Sequence, residues 1–496
     1  MPKVSVIVPV FEPGRLIAPL IATLRHQTMP AAERELIFVD DGSRDGTAER
    51  LDALAREQPG VRALHIPNSG WPGRPRNVGL DAAEGEFVFF ADHDDWLAPD
   101  ALRRLYTTAT EHRADIVIGK VVGHGGRRVP QLSPVDRHGL TAADAPLGLL
   151  TPHKLFRRAL LERHGLRFPE GEQRLEDHLF TVPAFFAAER ISVLVSDPIY
   201  HWVQRPDRQN ASRRRSPPDA HFDAVRALVA MVDERTEPGP IRDRYHRHWY
   251  RGKVLLRLGR RQDPEYEAQV YTAARALIED CFPPRLDEEL AFNLRLRAEL
   301  VRRDDRAGVE ALAAFESRLR ARARVVLARR RGGALDLAVT GRLRRAGKRA
   351  IAVARSGERL RWEPPPELAP SVGYDDRDVT EALDGQVGIV LRSQQDETEW
   401  PLTVASTTHV PTTDDAGSPV FPRVEGRVRI DPQHAAGGGA LRPGRYDVVV
   451  TLSIAGFAAE TEAREEGAPF TITVPFARDR LTTRIARLLR GHTRWR

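Results

Sequence analysis

In Phe87-Val88-Phe89-Phe90-Ala91-Asp92-His93-Asp94-Asp95-Trp96 an apolar run passes without interruption into a knot of aspartates. Phe87 to Phe90 carry no polar side chain, which suits a strand covered on both faces of a sheet. Acids at the C-terminal end of such a strand stand where open α/β sheets bind their ligands. Carboxylates so close repel one another and raise each other's pKa unless they share a cation. A hard divalent ion, Mg2+ or Mn2+, satisfies them and keeps sites free for phosphate oxygens. Taken alone, the same residues also describe a solvated acidic turn.

Upstream, strand and helix alternate. Val4-Ser5-Val6-Ile7-Val8-Pro9 reads as a buried strand, and Leu16, Ile17, Leu20, Ile21 and Leu24 follow with helical spacing. Leu36-Ile37-Phe38-Val39 is a second strand ending in Asp40-Asp41-Gly42-Ser43. A helix over 47–57, a strand over 61–66 and a helix over 76–84 lead back to the aspartates. Regular alternation with short connections predicts a mostly parallel, Rossmann-like α/β sheet with helices on both faces. The first strand is not followed by Gly-x-Gly-x-x-Gly, which argues against a dinucleotide cofactor. Strand ends then gather Pro9-Val10-Phe11-Glu12, Asp40-Asp41, Asn68 and Asp92-His93-Asp94 at one rim. Scattered surface acids would not fall so regularly on strand ends.

Downstream the pattern changes three times. Residues 120–215, with Phe156, Phe168, Phe180, Phe185, Phe186 and Trp202, read as the second half of a domain spanning 1–215. Residues 216–350 read as helical, with Val225, Leu228, Val229 and Val232 on one face. They close in a basic helical linker that contains Arg329-Arg330-Arg331-Gly332-Gly333. After Trp362-Glu363-Pro364-Pro365-Pro366, strand-like runs over 387–391, 402–405, 424–430, 446–452 and 470–474 predict an antiparallel β-sandwich over 362–478. In the tail, 479–496, Leu481, Ile485, Leu488 and Leu489 share one helical face ringed by arginine. Such a helix docks on protein or lies peripherally on an anionic membrane.

At 496 residues the chain is too long for one core. Its net charge is +7, and lysine occurs only as Lys3, Lys120, Lys154, Lys253 and Lys348, so arginine carries nearly all the positive charge. A basic surface favours acidic partners, although a genomic arginine bias leaves the same mark. A single cysteine, Cys281, excludes intrachain disulfides and cysteine-based metal sites. The chain opens directly on a strand, and no apolar run reaches membrane-spanning length. A cytoplasmic protein, with peripheral contact at the inner face of the membrane, is the expectation.

Together, Val4-Ser5-Val6-Ile7-Val8-Pro9-Val10-Phe11, Val39-Asp40-Asp41-Gly42-Ser43-Arg44-Asp45-Gly46-Thr47, Arg76-Asn77-Val78-Gly79-Leu80 and Asp92-His93-Asp94 resemble family 2 glycosyltransferases with the GT-A fold. The resemblance covers about residues 1–215 and implies inverting transfer of a sugar from a nucleotide donor. It implies that Pro9, Phe11 and Glu12 line the nucleoside pocket and that Asp41 and Asn68 bond the uracil. Arg76 would approach the base or phosphates, Asp92 the ribose or metal, and Asp94 would ligate a Mn2+ or Mg2+ ion on the diphosphate. Glu12 departs from the family's frequent Asn. Leu175-Glu176-Asp177-His178 falls where the family places its base motif, so Asp177 is the expected base and Glu176 its neighbour on the donor sugar; a plain helix cap is the alternative. Arg205, Asn210 and Ser212 fall in the family's diphosphate-closing loop. His178 reads as structural, and His201 as a partly buried side chain beside Trp202 rather than a third ligand.

Asn68-Ser69-Gly70-Trp71-Pro72-Gly73-Arg74-Pro75-Arg76-Asn77, the Lys154-Leu155-Phe156 region and the trailing domains are similar to bacterial poly(ribitol-phosphate) N-acetylglucosaminyltransferases of wall teichoic acid. That likeness implies a UDP-sugar donor, N-acetylglucosamine foremost, and a polyanionic glycopolymer acceptor. It also implies homotrimers formed through the C-terminal modules, with no nucleic acid partner. Two alternatives stay open. One is a capsular or exopolysaccharide transferase acting on a lipid-linked acceptor; the other is a non-catalytic carbohydrate-binding adaptor.

Overall fold

The computed structural model describes residues 1–475 except 128, 131, 134, 205–216, 260–262, 411–418 and 437. The tail expected to form an amphipathic helix lies outside the described residues. Two compact units divide the chain, Met1–Leu290 and the residues from Ala291 onward.

In the first unit, strands β1 (Val4–Val10), β2 (Arg34–Asp40), β3 (Val61–His65), β4 (Phe87–Phe90), β5 (Trp96–Leu97), β6 (Ile116–His124), β7 (Arg137–Leu140), β8 (Leu155–Arg157) and β9 (Ile191–Val203) build one sheet. Its order is β3-β2-β1-β4-β8-β6-β9-β5, with β7 on β9. The first four strands run parallel, and all of β1 and β4 is buried, as uninterrupted apolar runs require. β8 enters antiparallel between β4 and β6.

Helix Gly73–Ala82 begins three residues before the expected Arg76. It lies close on β1: a Cβ at Gly79 would stand 2.4 Å from Ile7 Cγ2. Helix Glu176–Ala187 starts from Leu175 in the left-handed region at φ 59°. Helices Pro218–Asp233, Pro240–Trp249 and Pro264–Cys281 complete the first unit.

Helices continue through Phe292–Arg302 and Arg306–Ser317 in the second unit, but the expected basic helical linker does not form. In its place β10 (Arg320–Arg331) and β11 (Ala334–Arg345) make an antiparallel hairpin. Arginine and alanine favour helix individually, yet Arg320-Ala321-Arg322-Ala323-Arg324-Val325 alternates with the period of a half-buried strand. Gly332 and Gly333 both take positive φ, 56° and 88°, the requirement of a two-residue hairpin turn. Short β12 (Lys348–Arg349) pairs with β11, and β13 (Ala352–Ser356) and β14 (Arg359–Glu363) form a separate hairpin. β15 (Gln386–Ser393), β16 (Glu399–Leu402), β17 (Ala405–His409), β18 (Arg423–Ile430), β19 (Gly444–Ile454), β20 (Phe457–Glu462), β21 (Arg464–Glu465), β22 (Ala468–Pro469) and β23 (Thr471–Val474) follow.

They form two sheets, β17-β18-β11-β10-β21-β22 with β12 on β11, and β16-β15-β19-β20 with β23 on β19. The strands expected downstream of 362 are present, but their partners β10 and β11 begin at 320, so the sandwich starts about forty residues before the expected boundary. Both sheets turn apolar faces inward. A Cβ at Gly341 would meet Leu452 at 2.3 Å, and one at Gly426 would meet Val387 at 2.6 Å. Phe292, Phe315, Trp362 and Phe457 cluster beside them.

Candidate active site

The C-terminal ends of β1, β2 and β4 set the floor of the site. Past β1, Phe11 is 41% exposed and Glu12 has φ 40° while its N–H donates to Ser43 Oγ at 2.9 Å. Pro9 is buried in β1, and its carbonyl accepts from His93 Nδ1 at 3.3 Å. Past β2, the buried Asp41 carboxylate accepts from the Ser69 N–H and Oγ, each at 2.9 Å. Asn68 Nδ2 donates to the Asp41 carbonyl at 2.8 Å. Burial raises the pKa of Asp41 in spite of those bonds. Gly42, at φ 76°, permits this approach, since a Cβ there would lie 2.7 Å from the Asn68 nitrogen.

Arg76 sits at the centre and is 3% exposed. Its Nη2 donates to Asp92 Oδ1 at 3.0 Å and its Nη1 to Asp177 Oδ1 at 2.9 Å, with Glu176 Oε1 at 3.7 Å. One guanidinium therefore ties the acid after β4 to the acid opening helix Glu176–Ala187. Burial alone would lower the Arg76 pKa; the charges of Asp177, Asp92 and Glu176 overturn that and raise it. Asp92 meets the opposite balance. Burial works against its charge, but His153 and Arg76 hold its carboxyl well below the usual range. Glu176 is pushed up to about 8, by burial first and then by the charge of Asp177.

Behind Asp92 lies a second layer. His153 Nε2 donates to Asp92 Oδ2 at 3.1 Å, and its ring stacks on Tyr200 at 4.3 Å. Tyr200 OH donates to Asp95 Oδ2 at 2.8 Å and accepts from the Asp92 N–H at 2.9 Å. The Val203 N–H donates to Asp95 Oδ1 at 2.8 Å. Burial, Asp94 and Asp92 together raise the pKa of Asp95 well above the usual value. Lys154, fully buried, donates to the Thr151 carbonyl, and desolvation lowers its pKa to about 7.

Asp41 and Asn68 thus meet each other, and Arg76 joins Asp92, Glu176 and Asp177. Arg76, expected to approach the base or phosphates, has its two terminal nitrogens on carboxylates instead, because burying a guanidinium requires compensating charge. Among the described residues, Asp92, Asp95 and His153 bring potential ligand atoms within 4.8 Å of one another. Asp94, the expected partner of Asp92, is not in that group. Arg205, Asn210 and Ser212 lie outside the described residues. His178 accepts from Trp249 Nε1 at 3.1 Å, and His201 stacks on Trp96 at 3.4 Å.

Asp95, His153, Lys154 and Tyr200 were not among the expected site residues. Asp95 is in the quoted stretch and was legible there. His153 has no local signal: the antiparallel register Phe89↔Leu155 carries it level with Ala91, beside Asp92.

A glycosyl transferase family 2 model matches residues 5–175, and a glycosyl transferase TarS linker domain model matches residues 218–313. The poly(ribitol-phosphate) beta-glucosyltransferase of Bacillus spizizenii is 33% identical over 233 residues, 46% of this chain and 37% of the relative. The poly(ribitol-phosphate) beta-N-acetylglucosaminyltransferase TarP of Staphylococcus aureus is 30% identical over 266 residues, 52% of this chain and 80% of the relative. The chain therefore spans most of one relative but well under half the length of the other. The crystal structure of S. aureus TarS 1-349 in complex with UDP-GlcNAc superposes with TM-score 0.57 at 28% identity, covering 64% of this chain and 91% of that one. Its likeness places the first sheet in the GT-A fold. With a parallel sheet whose β4 acid Asp92 shares one buried guanidinium with Asp177, and most of a relative's length matched, this chain belongs to glycosyl transferase family 2.

Proposed function

We propose that the chain is a metal-dependent inverting transferase that moves a sugar, N-acetylglucosamine foremost, from a UDP-sugar to a hydroxyl of a cell-wall polyol-phosphate polymer. The observation that carries this reading is the double engagement of Arg76, 2.9 Å from Asp177 and 3.0 Å from Asp92. An inverting transferase needs its base across the donor sugar from the diphosphate, and the two acids expected in those roles share one cation. The names of the relatives support the polymer acceptor, and the UDP-GlcNAc complex of the S. aureus neighbour supports the donor.

In this reading Asp177 accepts the proton of the acceptor hydroxyl as that oxygen attacks the anomeric carbon from the face opposite the leaving UDP. The same geometry governs the base of inverting glycosidases. Negative charge gathers on the departing diphosphate, while the buried Arg76 holds Asp92 and Asp177 in fixed positions relative to each other. Burial and the charge of Asp177 push the Glu176 pKa up to about 8, which favours its neutral form beside the base, a form that can donate to a sugar hydroxyl. Pro9, Phe11 and Glu12 are assigned to the nucleoside, with Asp41 and Asn68 on the uracil.

The acids after β4 fit a hard divalent ion, Mn2+ or Mg2+, because Asp94 and Asp92 both oppose the charge of Asp95 and a cation beside them would relieve that repulsion. Asp95 is 1% exposed, whereas Asp92 and Asp94 are half-buried and open towards a ligand, so we assign the ligand role to Asp92 and Asp94, and an anchoring role to Asp95. Bound there, the ion would neutralise the leaving diphosphate as a Lewis acid.

Release of UDP from a panel of UDP-sugars, with a ribitol-phosphate polymer as acceptor, tests the assignment. Asp177→Asn should lower turnover by about 10²- to 10⁴-fold while UDP-sugar affinity by calorimetry stays unchanged. Loss of donor binding in that variant would remove Asp177 as the base.

A further inference from the structure

The outer face of the β17-β18-β11-β10 sheet in the second unit is built from arginine. Arg320, Arg322 and Arg324 alternate along β10, each exposed, while Ala323 and Val325 point inward. Across the hairpin Arg322 stands directly opposite Arg342, and Arg320 directly opposite Arg344. Arg423 follows one step beyond the Gly341↔Val424 pair and shares the face of Arg342. Burial, then the charges of Arg349 and Arg423, hold the Arg342 guanidinium below its usual pKa, a second sign that these cations crowd one another.

Among the described residues, the acids on this face are Asp336 and Glu425. Each has its own arginine, Arg429 at 3.1 Å and Arg427 at 2.7 Å. Neither reaches the central group. Like charges directly opposite on a sheet destabilise it, so a merely solvated face would be more stable with threonine or glutamate at alternate places. A bound polyanion removes the repulsion. Same-face side chains repeat every 6–7 Å along a strand and about 5 Å between strands, a grid on which planar guanidinium groups take phosphates bidentately.

We propose that this sheet face is a docking surface for an anionic phosphodiester polymer, the class of acceptor assigned to the transferase site. The choice of polymer rests on that assignment; the face itself rests on the arginine register.

The test uses the full chain and the triple variant Arg322→Gln, Arg324→Gln, Arg423→Gln, none of which belongs to the transferase site. Affinity for a ribitol-phosphate polymer, measured without donor, should fall about tenfold. The slope of log affinity against log salt should shrink by about 2. KM for the polymer should rise while kcat and UDP-sugar affinity hold, and the melting temperature should not drop, because repulsion has been removed. Unchanged polymer affinity and salt slope overturn the docking surface. Equal binding of a single-stranded RNA of the same charge, lost in the same variant, overturns its assignment to this polymer, and a changed oligomeric mass assigns the face to copies of the chain instead. Failure of the acceptor assignment looks different: the unaltered chain would transfer nothing to the polymer.

Discussion

Arg76 is where charge is balanced in the first unit. A guanidinium buried to 3% exposure is tolerable only with its partners in place, and removing one partner of a buried pair costs about 3–5 kcal/mol. Glu176 shows the reverse economy. Its pKa of about 8 lies above the ordinary glutamate value, so between those two pH values the folded chain holds a proton that the unfolded chain has released. Stability must therefore fall as pH rises through that window. Glu176→Gln, which cannot ionise, should flatten the decline between about pH 5 and pH 8 in denaturant titrations; an identical slope in the variant would mean that Glu176 is ionised throughout. The acids after β4 make a second residue-scale case. Asp94→Asn should weaken Mn2+-dependent UDP binding about tenfold by calorimetry, since one charged ligand is lost. Asp95→Asn should leave that binding largely intact and lower the melting temperature. The opposite pattern would put the ion against Asp95 and His153.

At the scale of elements, helix Gly73–Ala82 places Arg76 because its next turn can lie against β1 at Gly79. Any side chain there must displace Ile7, whose Cγ2 would stand 2.4 Å from the new Cβ. Gly79→Val should cost about 1–3 kcal/mol and lower transfer along with stability, because the helix that carries Arg76 must move off the sheet. Wild-type stability in that variant would show that the helix does not depend on the close approach. The β10–β11 hairpin teaches a different lesson. Its arginines and alanines favour helix one by one, yet alternation together with Gly332-Gly333 favours a hairpin, and the apolar inner face decides between them by packing on the opposite sheet.

For the whole molecule, the placement of β10 and β11 determines where the chain can be cut. Ending it near residue 360 keeps the hairpin but removes β18 and the facing sheet, baring Leu337, Val339 and Leu343, so that fragment should aggregate. Ending it at Leu290 follows the boundary between the units. That shorter chain should stay monodisperse and still hydrolyse UDP-sugar, while losing the homotrimer that the resemblance implies for the full chain. Light scattering that gives the same oligomeric mass for both would place assembly in the first unit. Among the described residues no helix is long and apolar enough to cross a membrane.

Local sequence was enough for the parallel half of the first sheet and for the acids at its rim. Apolar strands of period one and helices of period 3.6 are short-range patterns, and strand ends fix where polar side chains emerge. Asp41, Asn68 and Asp92 were legible in that way, whereas Glu176 and Asp177 read locally as a helix cap and gained a site role only from the family resemblance. Tertiary structure alone decided what those acids touch. His153 reaches Asp92 because β8 runs antiparallel beside β4, and Tyr200 reaches Asp95 because β9 crosses under the same rim. Arg76 turns from a ligand-facing cation into the bridge between two carboxylates because burial leaves it no other way to keep its charge. Contacts between residues a hundred positions apart depend on strand register and desolvation, and neither is written in any single stretch of chain.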